Sequence, residues 1–328
     1  MRSISSGNAT VSAENKSIFG PVNSRRFGTS LGIDLSPGLK QCNFDCLYCE
    51  LAPAAPVKTQ TEHRSVDEII DELQRALETH PGIDDITVTA NGEPTLYPDL
   101  DELLRRIDAV KGNTKTLILT NSATLDNPET FTTLLRFDQV KLSLDAVTPE
   151  VFRKIDRPAE GIDIGTIVEA VKSFSRKYKG DLYLEILFVR GLNDTDEEIA
   201  ALNAVLHDIP CKRIDIGTID RPPAYPVEGL SYGELHDVAA KFDPELPIHI
   251  ASRTHAESCR SRYSDAEIIN TLDKRPLTME DMKLLFDDET LGRFEALCKS
   301  GQIVSENSSG ITFYLPAGNV SRKRQKST

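Results

Sequence analysis

The segment GLKQCNFDCLYCEL (residues 38–51) holds three of the six cysteines of the chain within eight positions, spaced C-x3-C-x2-C. A structural zinc site normally has four protein ligands, and a disulfide framework has an even number of cysteines. Three thiols at this spacing therefore predict a metal centre in which one coordination position is left for another ligand.

Composition and charge narrow the class of protein that can carry such a centre. The chain has 328 residues, of which 39% are hydrophobic and 27% charged, as in an ordinary soluble protein of about two domains. The first 19 residues lack the apolar core of a secretory signal, and no apolar run approaches the ~20 residues that span a bilayer. We therefore expect a cytoplasmic protein without membrane contact, in which thiols stay reduced, so that the cysteine cluster is metal-binding or catalytic rather than a disulfide framework.

Short apolar segments alternate with helical patterns from residue 31 onward. Repeated βα units predict a parallel sheet with right-handed connections, and ligands bind at the carboxyl ends of such strands. The first helix pattern begins with Ser65 and Glu68 in the spacing of a capping box. The strand candidates are residues 31–35, 85–90, 115–120, 139–145, 182–189 and 213–219, and the helix candidates between them begin at residues 65, 98, 127, 161 and 194. The cysteine segment follows the first of these strands and is expected at their carboxyl ends.

The pattern changes to helix, helix, helix and hairpin over residues 264–316, which is typical of a small winged-helix module. Its third helix pattern (residues 287–301) carries four acidic residues against two basic ones. A helix that reads DNA should be basic, and the net charge of −13 also argues against a broad nucleic-acid surface. We expect this module to pack on the rest of the chain or to bind a protein partner, and duplex DNA is not an expected partner. The basic residues 317–328 are predicted to form a disordered tail, and residues 1–17 a flexible N-terminus.

A second motif, TANGEPTLYP (residues 89–98), follows the second predicted strand. Gly92 allows a ligand to approach the backbone closely, and Asn91 belongs to the few residue types that tolerate positive φ. Backbone carbonyls and the carboxylate of Glu93 are groups that bind an ammonium ion. This segment is therefore a candidate binding site for a cationic group near the cysteines.

The two motifs together resemble the radical S-adenosylmethionine (SAM) superfamily over about residues 18–250. The resemblance implies an α/β fold with a partial (βα)6 TIM-like barrel, taken as residues 18–260, and a 4Fe–4S cluster that reductively cleaves SAM. It also implies a 5′-deoxyadenosyl radical acting on a substrate, and a reducing partner such as flavodoxin or ferredoxin. On the residues alone, a zinc site completed by Cys211, Cys259 or His63 remains an alternative.

The resemblance assigns roles residue by residue. It makes Cys42, Cys46 and Cys49 the cluster ligands and places Tyr48 beside the adenine of SAM. The SAM ammonium is assigned to Asn91, Gly92, Glu93 and Pro94, where Asn replaces the first Gly of the family motif. Further SAM contacts are expected at Asn121, Ser143 and Asp145, and Gly217 loosely matches an adenine contact. Asp145 has a second interpretation as the N-cap of a helix.

Three further segments narrow the subgroup: residues 20–37, KIDRP (154–158) and DRPPAYP (220–226). They are similar to an Fe–S oxidoreductase group related to wybutosine-synthesis enzymes and, more distantly, to nitrogenase-cofactor-synthesis and glycyl-radical activating enzymes. This similarity leaves the substrate open among a nucleoside or RNA, a peptide or protein, and a partner enzyme.

Several isolated residues have a functional and a simpler interpretation. Arginine suits anion recognition, but each candidate is more often a surface or ion-pair residue; the candidates are Arg25, Arg26, Arg157, Arg190 and Arg221. Cys211 and Cys259 are candidates for a second cluster but are better read as idle thiols, and Cys298 as a core residue. His255 is a weak candidate for a substrate contact. A different class of protein, a metal-sensing regulator with a three-cysteine zinc or iron site and a winged-helix effector, is the alternative function.

Overall fold

The computed structural model describes residues 16–24, 27–250, 260, 262–274, 276–308 and 311–318. Within these ranges, eight strands form one sheet in the order of the chain. β1 pairs antiparallel with β2, and every later pair is parallel. The strands are β1 (Ile18–Ser24), β2 (Gly28–Asp34), β3 (Asp85–Thr89), β4 (Lys115–Thr120), β5 (Gln139–Ser143), β6 (Asp181–Phe188), β7 (Arg213–Thr218) and β8 (Ile248–Ile250).

The predicted parallel sheet is confirmed, and two strands were missed. β1 contains Gly20 and Pro21, which argue against a strand, but the register shifts between Phe19 and Val22 and accommodates them at the sheet edge. A Cβ atom on Gly32 would lie 2.1 Å from the ring of Phe19, so glycine is required where β1 crosses β2. β8 has only three residues, too few for a reliable alternation pattern.

All five predicted helices are present. The helices of the barrel are α1 (Val66–Thr79), α2 (Leu100–Val110), α3 (Pro128–Leu134), α4 (Pro149–Ile155), α5 (Ile164–Lys177), α6 (Asp196–Leu206) and α7 (Tyr232–Ala239). The capping box of α1 is confirmed, because Ser65 Oγ accepts from the N–H of Glu68 while Glu68 Oε2 accepts from the N–H of Ser65. Three of the predicted helix starts were placed too early. The starts predicted at residues 98, 161 and 194 lie at Leu100, Ile164 and Asp196. The short helices α4 and α7 were not predicted.

The two faces of the sheet have opposite chemistry. One face is aliphatic and shares a buried core with the helices; it includes Leu31, Ile33, Ile86, Val88, Ile118, Val140, Leu142, Leu184, Ile186, Ile214 and Ile216. The other face carries polar side chains bonded across strands: Ser30 with Thr87, Gln139 with Asp85, Lys141 with Glu185, and His249 with Asp215. Side chains alternate between the two faces along a strand, and the helices cover the aliphatic face. The polar face is therefore the inside of the partial TIM-like barrel. β1 and β8 are its edges, and no pairing joins them within the described residues.

Residues 262–318, where described, form a second group of elements that we call the C-terminal unit. It contains α8 (Asp265–Lys274), β9 (Leu277–Thr278), α9 (Met279–Leu285), α10 (Asp288–Lys299), β10 (Ile303–Ser308) and β11 (Ile311–Pro316), with strand order β10-β11-β9. Its buried residues form their own cluster, against which Cys298 packs. Three helices and a hairpin thus occur in the expected order, and the assignment of the unit as a winged helix stays a prediction.

Some predictions fall outside the described residues. These are the flexible N-terminus (apart from Lys16 and Ser17), Arg25, Arg26, His255, Cys259 and nearly all of the basic tail. Among the helices that are described, none has the length and apolar character needed to cross a membrane.

Candidate metal and cofactor site

The cysteine loop and the TANGEP segment meet directly at the carboxyl ends of β2 and β3. Gln41 donates its N–H to Asn91 O at 2.8 Å, and Glu93 donates its N–H to Gln41 O at 3.0 Å. Gly92 lies opposite Gln41 with φ of 141°, and a Cβ atom there would be 1.9 Å from Gln41 O. Glycine is therefore required at this position, for the approach of the cysteine loop rather than for a ligand alone.

The three cysteines are partly buried free thiols in a loop that supplies sulfur-directed donors. Cys42 Sγ accepts the N–H of Phe44 at 3.4 Å and lies 3.7 Å from Asn121 Nδ2. Cys46 Sγ lies 3.4 Å from Asp156 Oδ1. N–H groups directed at sulfur, as at Cys42, help to set the reduction potential of a cluster bound by thiolates, whereas the Cys46 thiol itself donates to Asp156.

Burial shapes the ionisation of all three thiols. It raises the pKa of Cys42 to about 12, with the negative charge of Glu93 as the next contribution. Burial also raises the pKa of Cys46 and of Cys49, and the Lys40 ammonium opposes the shift at Cys49. Thiolates at these positions need a nearby positive charge, and a bound metal supplies one. The chemistry of the donor set therefore fits a metal cluster.

The zinc alternative loses Cys211 as its fourth ligand. Cys211 precedes β7, at the amino end of the parallel strands, whereas the cysteine loop lies at their carboxyl ends. His63 is exposed and its ring packs against Tyr97. In the described part of the chain, no group of three or more His, Cys, Asp or Glu residues is arranged to hold a single metal ion. Burial raises the pKa of Cys211 to about 11, which fits an idle thiol.

Glu93 is a hydrogen-bond centre for the strand ends. Its buried carboxylate accepts from Thr95 N (3.0 Å), Thr95 Oγ1 (2.7 Å), Thr120 Oγ1 (2.6 Å) and the N–H of Asn121 (2.8 Å). Burial raises the pKa of Glu93, while these hydrogen bonds oppose the shift. Asn121, held in this way, donates from Nδ2 to Asn43 Oδ1 at 2.7 Å within the cysteine loop.

Asp145 fixes Tyr48 and is not a helix cap. Its carboxylate accepts the N–H of Leu187 at 2.6 Å and the hydroxyl of Tyr48. The N-cap of the following helix α4 is Thr148, so the second interpretation of Asp145 is wrong. Burial raises the pKa of Asp145 to about 6, against the opposing effect of the Tyr48 hydrogen bond.

Four of the residues assigned to SAM line one small pocket, which is bounded by Tyr48, Asn121, Ser143 and Asp145 together with Phe44 and Asp156. Its volume of about 10 Å³ is that of a single water molecule. A nucleoside is too large to enter this pocket. Gly217, at the end of β7, does not line this pocket.

Two segments that sequence reasoning used only for classification hold the cysteine loop in place. From KIDRP, Ile155 O accepts the N–H of Leu47 at 2.8 Å; from DRPPAYP, Ala224 donates its N–H to Cys49 O at 2.8 Å. The carboxylate of Asp45, between the first two cysteines, accepts from Lys40 Nζ at 2.9 Å and from the hydroxyl of Tyr225. We call Asp45, Lys40 and Tyr225 the loop clamp; an acidic residue between metal-ligand cysteines was the only sequence signal for it.

The described candidate arginines pair with carboxylates of the chain. Arg157 lies 3.5 Å from Asp45 and over the ring of Tyr225, Arg221 pairs with Glu50, and Arg190 pairs with Glu234. These contacts favour the ion-pair interpretation over anion binding.

Comparison with known proteins agrees with this geometry. The sequence model described as "Radical SAM superfamily" matches residues 38–202. The chain belongs to this superfamily, whose enzymes use a 4Fe–4S cluster and SAM. A protein from Helicobacter pylori described only as "UPF0026 protein" is 40% identical over 301 residues, which cover 90% of this chain and 96% of that protein. Membership in an enzyme superfamily sets aside the metal-sensing regulator.

Solved structures show the same fold. A radical SAM methyltransferase from Sphaerobacter thermophilus matches with a TM-score of 0.53 at 16% identity, over 68% of this chain and 66% of that one. The structure titled "Structure of TYW1 with a lysine-pyruvate adduct bound" matches with a TM-score of 0.50 at 16% identity, over 66% of this chain and 74% of that one. The partial radical SAM barrel is confirmed.

Proposed function

We infer that this enzyme reductively cleaves SAM at a 4Fe–4S cluster held by Cys42, Cys46 and Cys49. When bound, the cluster supplies the electron that splits SAM into methionine and a 5′-deoxyadenosyl radical, which takes a hydrogen atom from a substrate. The observation that carries this inference is the direct backbone pairing of Gln41 with Gly92, which joins the thiol loop to the segment expected to receive the SAM ammonium.

The residues around the thiols have separable tasks in this proposal. Phe44 and Asn121 direct N–H groups at the Cys42 sulfur and favour its thiolate form. Glu93 orders Asn121 and the end of β4. Asp145 holds the Tyr48 ring at the place expected for adenine.

The substrate would meet the polar inner face of the barrel. The Lys141–Glu185 and Asp215–His249 contacts there favour a substrate with hydrogen-bonding groups over an apolar one. A nucleoside, RNA or protein substrate, a flavodoxin or ferredoxin as reductant, and a cytoplasmic location complete the proposal.

Anaerobic reconstitution tests the proposal directly. We expect about four irons and four sulfides per chain, as for a [4Fe–4S] centre. With dithionite and SAM, the protein should release 5′-deoxyadenosine, and SAM should change the EPR spectrum of the reduced cluster. An unchanged spectrum without nucleoside product would contradict the proposed function.

A further inference from the structure

Lys274, the last residue of α8, inserts a charge from the C-terminal unit into the barrel. Its side chain is 4% exposed, and Nζ lies 2.7 Å from Asp34 Oδ2 and 3.1 Å from Pro37 O. Asp34 is 2% exposed, and its contact with Lys274 is an ion pair rather than an aligned hydrogen bond. Buried lysines are rare without a partner, since desolvation of the ammonium is costly.

Asp34 contacts the residues that lead into the cysteine loop and into the Asn91–Pro94 segment. It is the last residue of β2, and its other oxygen, Oδ1, accepts the N–H of Ser36 at 3.0 Å and the N–H of Asn91 at 2.9 Å. Ser36 Oγ in turn donates to Asn91 O at 3.1 Å. One carboxylate thus ties the start of the cysteine loop to the start of the Asn91–Pro94 segment.

The element that carries Lys274 is itself docked on the barrel. Asn270 Nδ2, one turn earlier on α8, donates to Ile18 O of β1 at 3.0 Å in a buried contact. Tyr263, just before α8, donates its hydroxyl to Pro21 O. These bonds to the edge strand set the position from which Lys274 reaches Asp34.

We propose that Lys274 is a positioning residue through which the C-terminal unit orders the SAM-binding segment; the inference rests on the proposed function. Without the ammonium, the Asp34 carboxylate would be buried without its counter-charge. It would turn towards water, and this change would loosen its hold on the N–H groups of Asn91 and Ser36. The C-terminal unit is then a component of the cofactor site rather than a detachable module.

The test uses the full chain with a reconstituted cluster and follows the EPR change of the reduced cluster during SAM titration. In Lys274→Met, the SAM concentration for half the change should rise about tenfold or more, the range for residues that orient the ligands of a metal site. In Lys299→Met, a matched change at an exposed position of α10, this SAM concentration should stay at the wild-type value. The double variant Asp34→Asn/Lys274→Met should return to within about threefold, because removing both charges of a buried pair is often nearly neutral.

The outcomes separate the possible roles. A lower melting temperature of Lys274→Met with wild-type half-saturation would mean a merely structural role and would overturn the inference. The inference would also be overturned if the double variant needed as high a SAM concentration for half the EPR change as Lys274→Met does. If Lys274→Met does not fold, the double variant decides. A folded double variant whose half-saturating SAM concentration is close to that of the wild type supports the inference. A clearly higher concentration, or a failure to fold, overturns it. If the wild-type protein shows no SAM-dependent change, the proposed function fails and this inference fails with it.

Discussion

The two ends of the parallel strands carry cavities of very different size and construction. At the carboxyl ends, the pocket beside the cysteine loop has a volume of about 10 Å³ and is surrounded by buried groups with fixed partners. At the amino ends, a cavity of about 810 Å³ is lined by Asp85, Lys115, Asp181, Tyr183 and Lys212 among others. The residues assigned to the cluster and to SAM lie at the end with the smaller cavity.

The charged groups show why the volume of a cavity does not identify the cofactor site in this protein. Lys115 and Lys212 are more than half exposed, and both lie near Asp181, as expected of a solvated surface cleft. At the carboxyl ends, Lys40 and Asp45 are each 7% exposed, and Lys274 with Asp34 is more buried still. Converging backbone segments and desolvated pairs, rather than empty volume, distinguish a site that positions a cofactor.

The largest effect is expected from the cysteines themselves. Cys46→Ala should abolish stable cluster loading, because a three-ligand centre has no spare protein ligand. The measurement is iron and sulfide content after anaerobic reconstitution. Cys298→Ala, a change in the C-terminal core, is the matched control and should load normally; full loading of Cys46→Ala would refute the assignment.

The loop clamp should give the next largest effect. Asp45→Ala leaves Lys40 buried without its counter-charge and should lower the free energy of unfolding by about 3 kcal/mol. Tyr225→Phe removes one hydrogen bond and should lower it by about 1 kcal/mol. Denaturant unfolding of the cluster-free protein measures both, and equal losses in the two variants would show that the charge pair adds nothing.

A smaller, pH-dependent effect is expected at the opposite end of the strands. Burial, followed by the charge of Asp84, raises the pKa of Asp85 to about 6. The folded protein binds this proton more tightly than the unfolded chain, in which the pKa of an aspartate is about 4. Stability therefore falls as the pH rises from about 4 to about 6, and it stays lower above that range. Asp85→Asn removes that loss and keeps an acceptor for Gln139.

Thermal unfolding at several pH values checks this prediction. The melting temperature of Asp85→Asn should exceed that of the wild type at neutral pH, and the difference should shrink as the pH falls from about 6 towards about 4. Cluster loading should be unchanged. A constant difference at all pH values would remove Asp85 as the titrating group.

The smallest effect is expected from the surface charges of the large cavity. Lys212→Ala breaks an exposed ion pair with Asp181 at 2.9 Å and should cost about 0.5 kcal/mol or less. SAM-dependent spectra should not change. A clear loss of SAM response would show that the amino-end cavity is coupled to the cofactor site, and the two ends of the strands would then not differ in function as described.

The elements that sequence reasoning identified share a local origin. Six of the seven strands in parallel pairing, the α1 capping box and the two motifs are all visible in spacings of a few residues. β1 was missed because its Gly-Pro pair breaks the local pattern, and it is stabilised by distant partners: pairing with β2 and hydrogen bonds from Tyr263 and Asn270. Asp145 illustrates the converse: its position before a helix suggested a cap as a second interpretation, while its partners are Tyr48 and Leu187.

The sequence alone determined that three thiols, a glycine-containing strand end and repeated βα units occur together, because these features depend on neighbours along the chain. The tertiary structure decided what holds them. Tyr225 reaches Asp45 across 180 positions, and Lys274 reaches Pro37 across 237. Contacts of this kind have no local signature: a buried hydroxyl or ammonium acquires its partner only after every intervening element has packed, and the desolvation penalty then makes that partner necessary.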